Sequence, residues 1–447
     1  MESQHDKVVG EELTHLNGDH RAHVRPRLLG EGLMGRDREF DIIVWGATGF
    51  VGRLAARQLA ARCRNGSDVR WAIGGRDQAK LEAVRSRLGP DAADIPIVTG
   101  DSHDAPSMQA LADRTEVVCS CVGPYAKYGS ELVAACARSG THYCDLAAEA
   151  HWIRRMIDAH AAEAEQTGAR IVHACGMDSI PSDLGVAVLQ KAARERFGGP
   201  CSQVRMRVTE LSGGFSGGTA AAMLHGFEAG RDDPTIRQGM IEPYFLCPEG
   251  QRDGPERPGK LMSVSVEYDE DLKAWTKPFF MGPMNTKIVR RTNALLDYPY
   301  GRDFRYEEAR LVGGGWSGRL RAQAEALVFG AFGVAVAVPP TRSLLKRYVL
   351  PASGEGPSQE TVEGGHWEIV LVGKHDEGGV IKVRVAGVGD PSAMSSSRML
   401  IESALCLLQD GDRITVGGGS WTPGSAMGEP LLARLTSHAG LTFEVLT

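Results

Sequence analysis

The residues best equipped for chemistry fall in four short clusters, each just past an apolar, strand-like run. Gly46-Ala47-Thr48-Gly49-Phe50-Val51-Gly52 is a spaced glycine turn. Gly46 permits a tight turn, Gly49 lets backbone approach a pyrophosphate, and Gly52 lets the following helix sit close to its strand. The N–H groups and positive dipole at that helix start suit phosphate, so Gly46, Thr48, Gly49, Phe50, Val51 and Gly52 are candidate cofactor contacts. Arg76 follows a second run, where an arginine pairs with the 2′-phosphate of NADP and an acid would bond the ribose of NAD. Asp77 precedes a helical stretch and reads as its N-cap, which leaves Arg76 for the phosphate and favours NADPH. The third cluster, Gly123-Pro124-Tyr125-Ala126-Lys127-Tyr128-Gly129, adds Gly123 and Pro124 to the cofactor set and offers two phenols, Tyr125 and Tyr128, as proton donors. Tyr128 packing on the next helix is its plainer reading. The fourth cluster, Cys175 to Asp183, holds Asp178 and Ser179, polar residues with no evident structural task, while Asp183 reads as a helix cap.

A parallel sheet would bring these clusters together. Asp41 to Trp45, Val69 to Gly74, Pro96 to Thr99, Glu116 to Val122, Thr141 to Cys144 and Arg170 to Ala174 read as strands alternating with helices, the rhythm of a doubly wound sheet. Such sheets keep ligands at their carboxyl ends, where all four clusters fall.

From about Pro200 the pattern turns to alternation of apolar and polar residues, in Val204 to Val208, Leu261 to Glu267, His366 to Val372 and Val380 to Val388. That is the mark of half-buried antiparallel strands. The expected organisation is a tail over 1–39, a Rossmann domain over 40–183, a second α/β domain with a mostly antiparallel sheet over 184–390, and a segment over 391–447 that packs back on the first domain. The stretch Ala326 to Pro340 is the most apolar in the chain and falls short of the roughly 20 residues a spanning helix needs. It reads either as a buried helix or as a hook onto a membrane or acyl chain.

With 447 residues, 24% charged and a net charge of −6, the chain is a multidomain globular protein with no basic surface for nucleic acid. Nine cysteines without framework spacing indicate a reducing, cytoplasmic setting. The tail, with His5, His15, His20 and His23, has no apolar leader region, and no His, Cys, Asp and Glu set has metal-ligand spacing along the chain, so no metal is expected.

These blocks, with Asn285-Thr286-Lys287-Ile288-Val289-Arg290-Arg291-Thr292-Asn293-Ala294 and the segment from Thr422-Pro423 to Leu435, resemble the saccharopine dehydrogenase-like oxidoreductases, most closely the trans-acting enoyl reductases of polyketide lipid assembly. The resemblance runs from about Phe40 to the end. Where the family usually reads Asp-Leu-Thr-Gly-Glu, this chain has Asp145-Leu146-Ala147-Ala148-Glu149. The resemblance implies NADPH and reduction of an α,β-unsaturated acyl thioester, a hydrophobic substrate held on a carrier protein or polyketide synthase. It leaves a homodimer and a peripheral membrane contact open. The alternatives are a saccharopine dehydrogenase-type amino-acid oxidoreductase gripping carboxylates with Arg290, Arg291 and Arg302, and a non-catalytic lipid-surface protein.

Overall fold

A computed structural model describes residues 38–64, 68–177, 179–214, 217–256, 265–349 and 354–446. The early apolar runs form β1 (Phe40–Trp45), β2 (Trp71–Gly75), β3 (Ile97–Thr99), β4 (Thr115–Ser120), β5 (His142–Asp145) and β6 (Arg170–Val172). Later come β7 (Gln203–Ser212), β8 (Glu267–Asp269), β9 (Ala274–Pro278), β10 (Arg305–Gly313), β11 (His366–Lys374), β12 (Val380–Val388), β13 (Gly419–Trp421) and β14 (Leu441–Leu446).

The first sheet has the order β13-β6-β5-β4-β1-β2-β3 and is parallel throughout. Its inner strand β1 carries Ile42, Ile43 and Val44 with no exposed surface, because helices cover both faces. Burying each such side chain is worth about 1.5–3 kcal/mol. Strand order reverses between β1 and β4, and the crevice above that point is where open α/β sheets bind dinucleotides.

The second sheet runs β14-β12-β11-β7-β10-β9-β8, antiparallel except where β7 lies parallel to β10. The fold is thus the expected one, a parallel Rossmann sheet beside a mostly antiparallel sheet. The strand expected over Leu261 to Glu267 is described only at its end, where Glu267 opens β8; residues 257–264 lie outside the described residues, as do the tail histidines. The last strands separate: β13 joins the first sheet beside β6, and β14 joins the second beside β12.

The apolar stretch falls on the helices Gly315–Ala337 and Pro339–Tyr348. Ala326 and Val336 are buried, but Leu327 is 74% exposed, Val328 70% and Val334 65%. The reading as a buried helix therefore fails for most of the segment. Among the described residues no single helix is long and apolar enough to cross a membrane.

Candidate active site

The turn after β1 is built by close approach. Gly46 has a φ of +86°, and a Cβ on it would stand 2.5 Å from Val122 Cγ2. A Cβ on Gly52 would strike the Gly46 carbonyl oxygen, so helix and turn touch here. Gly49 is different. Its φ is −70°, and an added Cβ would meet only backbone oxygens, Gly46 O at 3.3 Å and Cys121 O at 4.0 Å. The Gly46 carbonyl would be a tight neighbour for a Cβ, and no side chain stands within 4 Å, which leaves room for a ligand to approach. The helix Phe50–Arg62 that follows has no side-chain cap and no acid in its first turn, so its leading N–H groups remain available to an anion. Thr48 lines the turn, its carbonyl held by Arg53 Nη1 at 2.7 Å. The Phe50 ring turns instead toward Val362, Ala393 and Met394, and Val51 is half-buried, which leaves backbone as what these two offer a cofactor.

Arg76 follows β2, is exposed, and stands over the Tyr128 ring at 5.7 Å. His103, from the loop after β3, lies 5.2 Å from the same ring, and Lys127 Nζ lies 5.1 Å from it. Three basic side chains thus surround one phenol beside the end of β2, the adenosine end of such a site. Tyr128 belongs to this group. The sequence reading offered it as a proton donor; the structure sets its ring among these cations. Asp77 caps the helix Gln78–Arg87, its carboxylate accepting from Lys80 N at 3.1 Å, so it is occupied as the sequence anticipates.

Gly123 and Pro124 lead from β4 into the short helix Tyr125–Tyr128. Tyr125, read from the sequence as the acid, is buried and hydrogen-bonded within the protein. Its ring is buried against Trp152 at 5.5 Å. The hydroxyl donates to Ser120 O at 3.0 Å and accepts from Leu146 N at 3.1 Å. Burial pushes this phenol well above its ordinary pKa, with Asp145 adding to the effect. Tyr125 ties the end of β4 to the end of β5.

Glu149 holds the same turn from the other side. Its Oε2 accepts from Tyr125 N at 2.7 Å and its Oε1 from Ala126 N at 3.2 Å, while burial pushes its carboxyl up to about 7. Asp145 accepts from the backbone of Ala147 and Ala174, and its Oδ2 lies 2.7 Å from His173 Nδ1. Ala174, with a φ of 63°, is strained and held there by that carboxylate. Ala148 is not among the residues with positive φ, so its backbone does not need the family's glycine.

Asp178 lies outside the described residues. Ser179 has no exposed surface and sits at the start of the helix Ile180–Phe197, its Oγ 3.5 Å from Asn285 Oδ1. It belongs to a buried network in which Glu308 accepts from Ser182 at 2.7 Å, Tyr306 at 2.8 Å and Asn285 at 2.9 Å. That setting does not suit the expected catalytic role, since the hydroxyl opens onto protein. Asp183 accepts from Gly424 N at 2.7 Å, capping the turn that starts at Pro423 rather than its own helix. Arg291 gives Nη1 to Leu246 O at 2.5 Å and Nη2 to Ser420 O at 2.7 Å, and Arg290 gives Nη2 to Tyr306 O at 2.8 Å. Two motifs that read as site residues therefore tie their helices to neighbouring strands, turns and loops. Sequence reasoning gave no structural role to Asp145, His173 and Glu149, which tie together the turns after β4, β5 and β6; their position at or just past the ends of β5 and β6 was the available signal.

A bare glycine turn, an uncapped helix start and an exposed arginine after β2 fit a phosphorylated dinucleotide. The NADP-binding domain of saccharopine dehydrogenase matches residues 42–172. Fold and site together define an NADPH-dependent oxidoreductase of the saccharopine dehydrogenase type. The chain is 42% identical over 423 residues to a Mycobacterium tuberculosis protein named as a trans-acting enoyl reductase, covering 91% of this chain and 97% of that one. It is 38% identical to the trans-acting enoyl reductase of Mycobacterium ulcerans, covering 89% and 96%. The chain belongs to this family of saccharopine dehydrogenase-like trans-acting enoyl reductases. Apo saccharopine dehydrogenase (L-Glu forming) of Saccharomyces cerevisiae shares the fold, with a TM-score of 0.51 at 13% identity, covering 91% of this chain and all of that one.

Proposed function

We propose that the protein reduces the α,β double bond of a hydrophobic acyl thioester presented by a carrier protein or polyketide synthase. The observation that carries this reading is likeness along nearly the whole chain to relatives named for that activity. NADPH, when bound, supplies the hydride. Gly46, Gly49, Gly52, Gly123 and Pro124 shape the backbone that receives it, the N–H groups of Phe50 and Val51 and the Thr48 turn hold its pyrophosphate, and Arg76 takes the 2′-phosphate. With Tyr125, Tyr128 and Ser179 engaged elsewhere, Asp178 is the candidate left to protonate the α-carbon.

The saccharopine-type alternative is disfavoured by one feature. It asks for cations that grip a dicarboxylic substrate; Arg290 and Arg291 are buried and bonded to main-chain carbonyls, and of the three candidates only Arg302, over the Tyr298 ring, is exposed. The exposed apolar face of Gly315–Ala337 supports a peripheral membrane contact. NADPH oxidation is to be followed with crotonyl and longer enoyl thioesters, and separately with 2-oxoglutarate plus lysine. Turnover only with the enoyl thioesters supports the reading. Turnover only with the amino acid pair overturns it, and turnover with neither favours a lipid-surface protein.

A further inference from the structure

We propose that Glu149, His151 and His225 form a site for one divalent transition-metal cation of the zinc class. The inference is independent of the acyl-reductase reading. Glu149 immediately precedes the helix Ala150–Thr167 and His151 is that helix's second residue, while His225 lies on the helix Gly217–Asp232. The fold brings the three together: one ligating atom from each lies within 4.8 Å of the others. Two imidazole nitrogens and one carboxylate oxygen are the donor set of open zinc sites, in which a fourth position stays free for water or a substrate oxygen. No spacing along the chain reveals this set, because its third member is 74 residues beyond its second.

His225 supplies a second observation. Its Nδ1 is buried without a hydrogen-bond partner, 4.0 Å from Glu149 Oε1, while 36% of the side chain remains exposed. An unpartnered buried ring nitrogen facing a carboxylate is costly unless something lies between them. The exposed edge gives an ion its way in. The Glu149 carboxylate is already oriented by Tyr125 N and Ala126 N, the kind of outer hydrogen bonding that fixes metal-ligating carboxylates. Asp145 lies near Glu149 and Asp233 near His151, while Arg155 opposes a cation. Bonds of about 2.0–2.2 Å in tetrahedral geometry place ligand atoms roughly 3.3 Å apart, so binding draws the three side chains closer together. The cation would then clamp that helix to the turn at Gly123 and Pro124.

The test uses the full chain, stripped with a chelator, desalted and titrated with cobalt(II) and then zinc(II). The expected result is one cobalt per chain, with visible d–d absorption that zinc abolishes. His225→Ala and His151→Ala should each weaken binding at least roughly tenfold. The tail histidines are common to all these proteins, so the difference isolates the site. Thermal melting of the stripped proteins guards against misfolding, and should His225→Ala melt early, His225→Gln and His151→Ala provide the comparison. A stripped wild-type chain that takes up no cobalt overturns the proposal. So does undiminished binding by a well-folded His225 variant.

Discussion

The guanidinium of Arg76 stands 5.7 Å from the centre of the Tyr128 ring, joining the end of β2 to the turn after β4. The contact holds an exposed cation in one place without consuming its hydrogen-bond donors. An arginine held that way is prepared for a phosphate.

Arg76→Ala should therefore weaken NADPH binding about ten- to a hundredfold, the worth of one charge-assisted phosphate contact, and barely alter NADH binding. Calorimetric titration with each cofactor checks this. Equal losses for both would reduce Arg76 to a support of the turn. Tyr128→Leu, which removes the ring beneath the arginine, should show a weaker form of the same selectivity.

The alternation of apolar runs and glycine turns made the first sheet legible, because a strand buried on both faces must be apolar along its length. β4 and β6 simply stop two residues short of the expected ends, at Ser120 and Val172. The second sheet was legible as a class but not in its pairing: β7 lies parallel to β10 across a separation of about a hundred residues, which no local pattern encodes. The site was half legible. Backbone positions such as Gly46 and Gly52 were readable from glycine spacing, whereas the direction of a side chain was not. Tyr125 and Ser179 occupy the right loops and point into the protein, since the same polar residue can serve a ligand or a buried network. Chain position alone does not distinguish the two.

Tyr125→Phe should act on stability more than on chemistry. Losing the hydroxyl leaves Leu146 N without its partner, a cost of about 1–3 kcal/mol for a buried donor. Thermal melting should register that loss, while enoyl turnover by the folded protein stays within a few-fold of wild type. A proton donor would instead lose roughly 10²–10⁴ in turnover with stability intact. Asp178→Asn is expected to show that second pattern.

Asp183 makes stability depend on pH with an unusual sign. Burial pushes its carboxyl from 3.8 up to about 7, beside the hydroxyl pair of Thr292 and Thr422. The folded state thus keeps a proton that the unfolded chain releases near its ordinary value. The stabilisation is full below the unfolded pKa and is lost as pH rises through about 7, at about 1.4 kcal/mol for each pH unit between the two. Asp183→Asn mimics the protonated form. Its melting temperature relative to wild type should therefore become more favourable between about pH 5.5 and about pH 8. A difference that stays flat would mean that Asp183 is already ionised in the folded protein.

The last prediction concerns the apolar helix. Leu327 and Val328 are 74% and 70% exposed, and Phe329 is 42% exposed, so three successive residues present hydrocarbon to water. Replacing buried residues of this size with serine typically costs several kcal/mol, because a cavity opens and a hydroxyl enters a core. At this exposure neither penalty applies in full, so Leu327→Ser with Phe329→Ser should move the melting temperature little. Binding to a lipid surface depends on just this apolar area, together with attraction between basic residues and anionic headgroups. The double variant should therefore lose flotation with anionic liposomes that the wild-type chain retains, and added salt should weaken the wild-type interaction. Early melting with flotation unchanged would put these side chains in a core and remove the membrane from the reading.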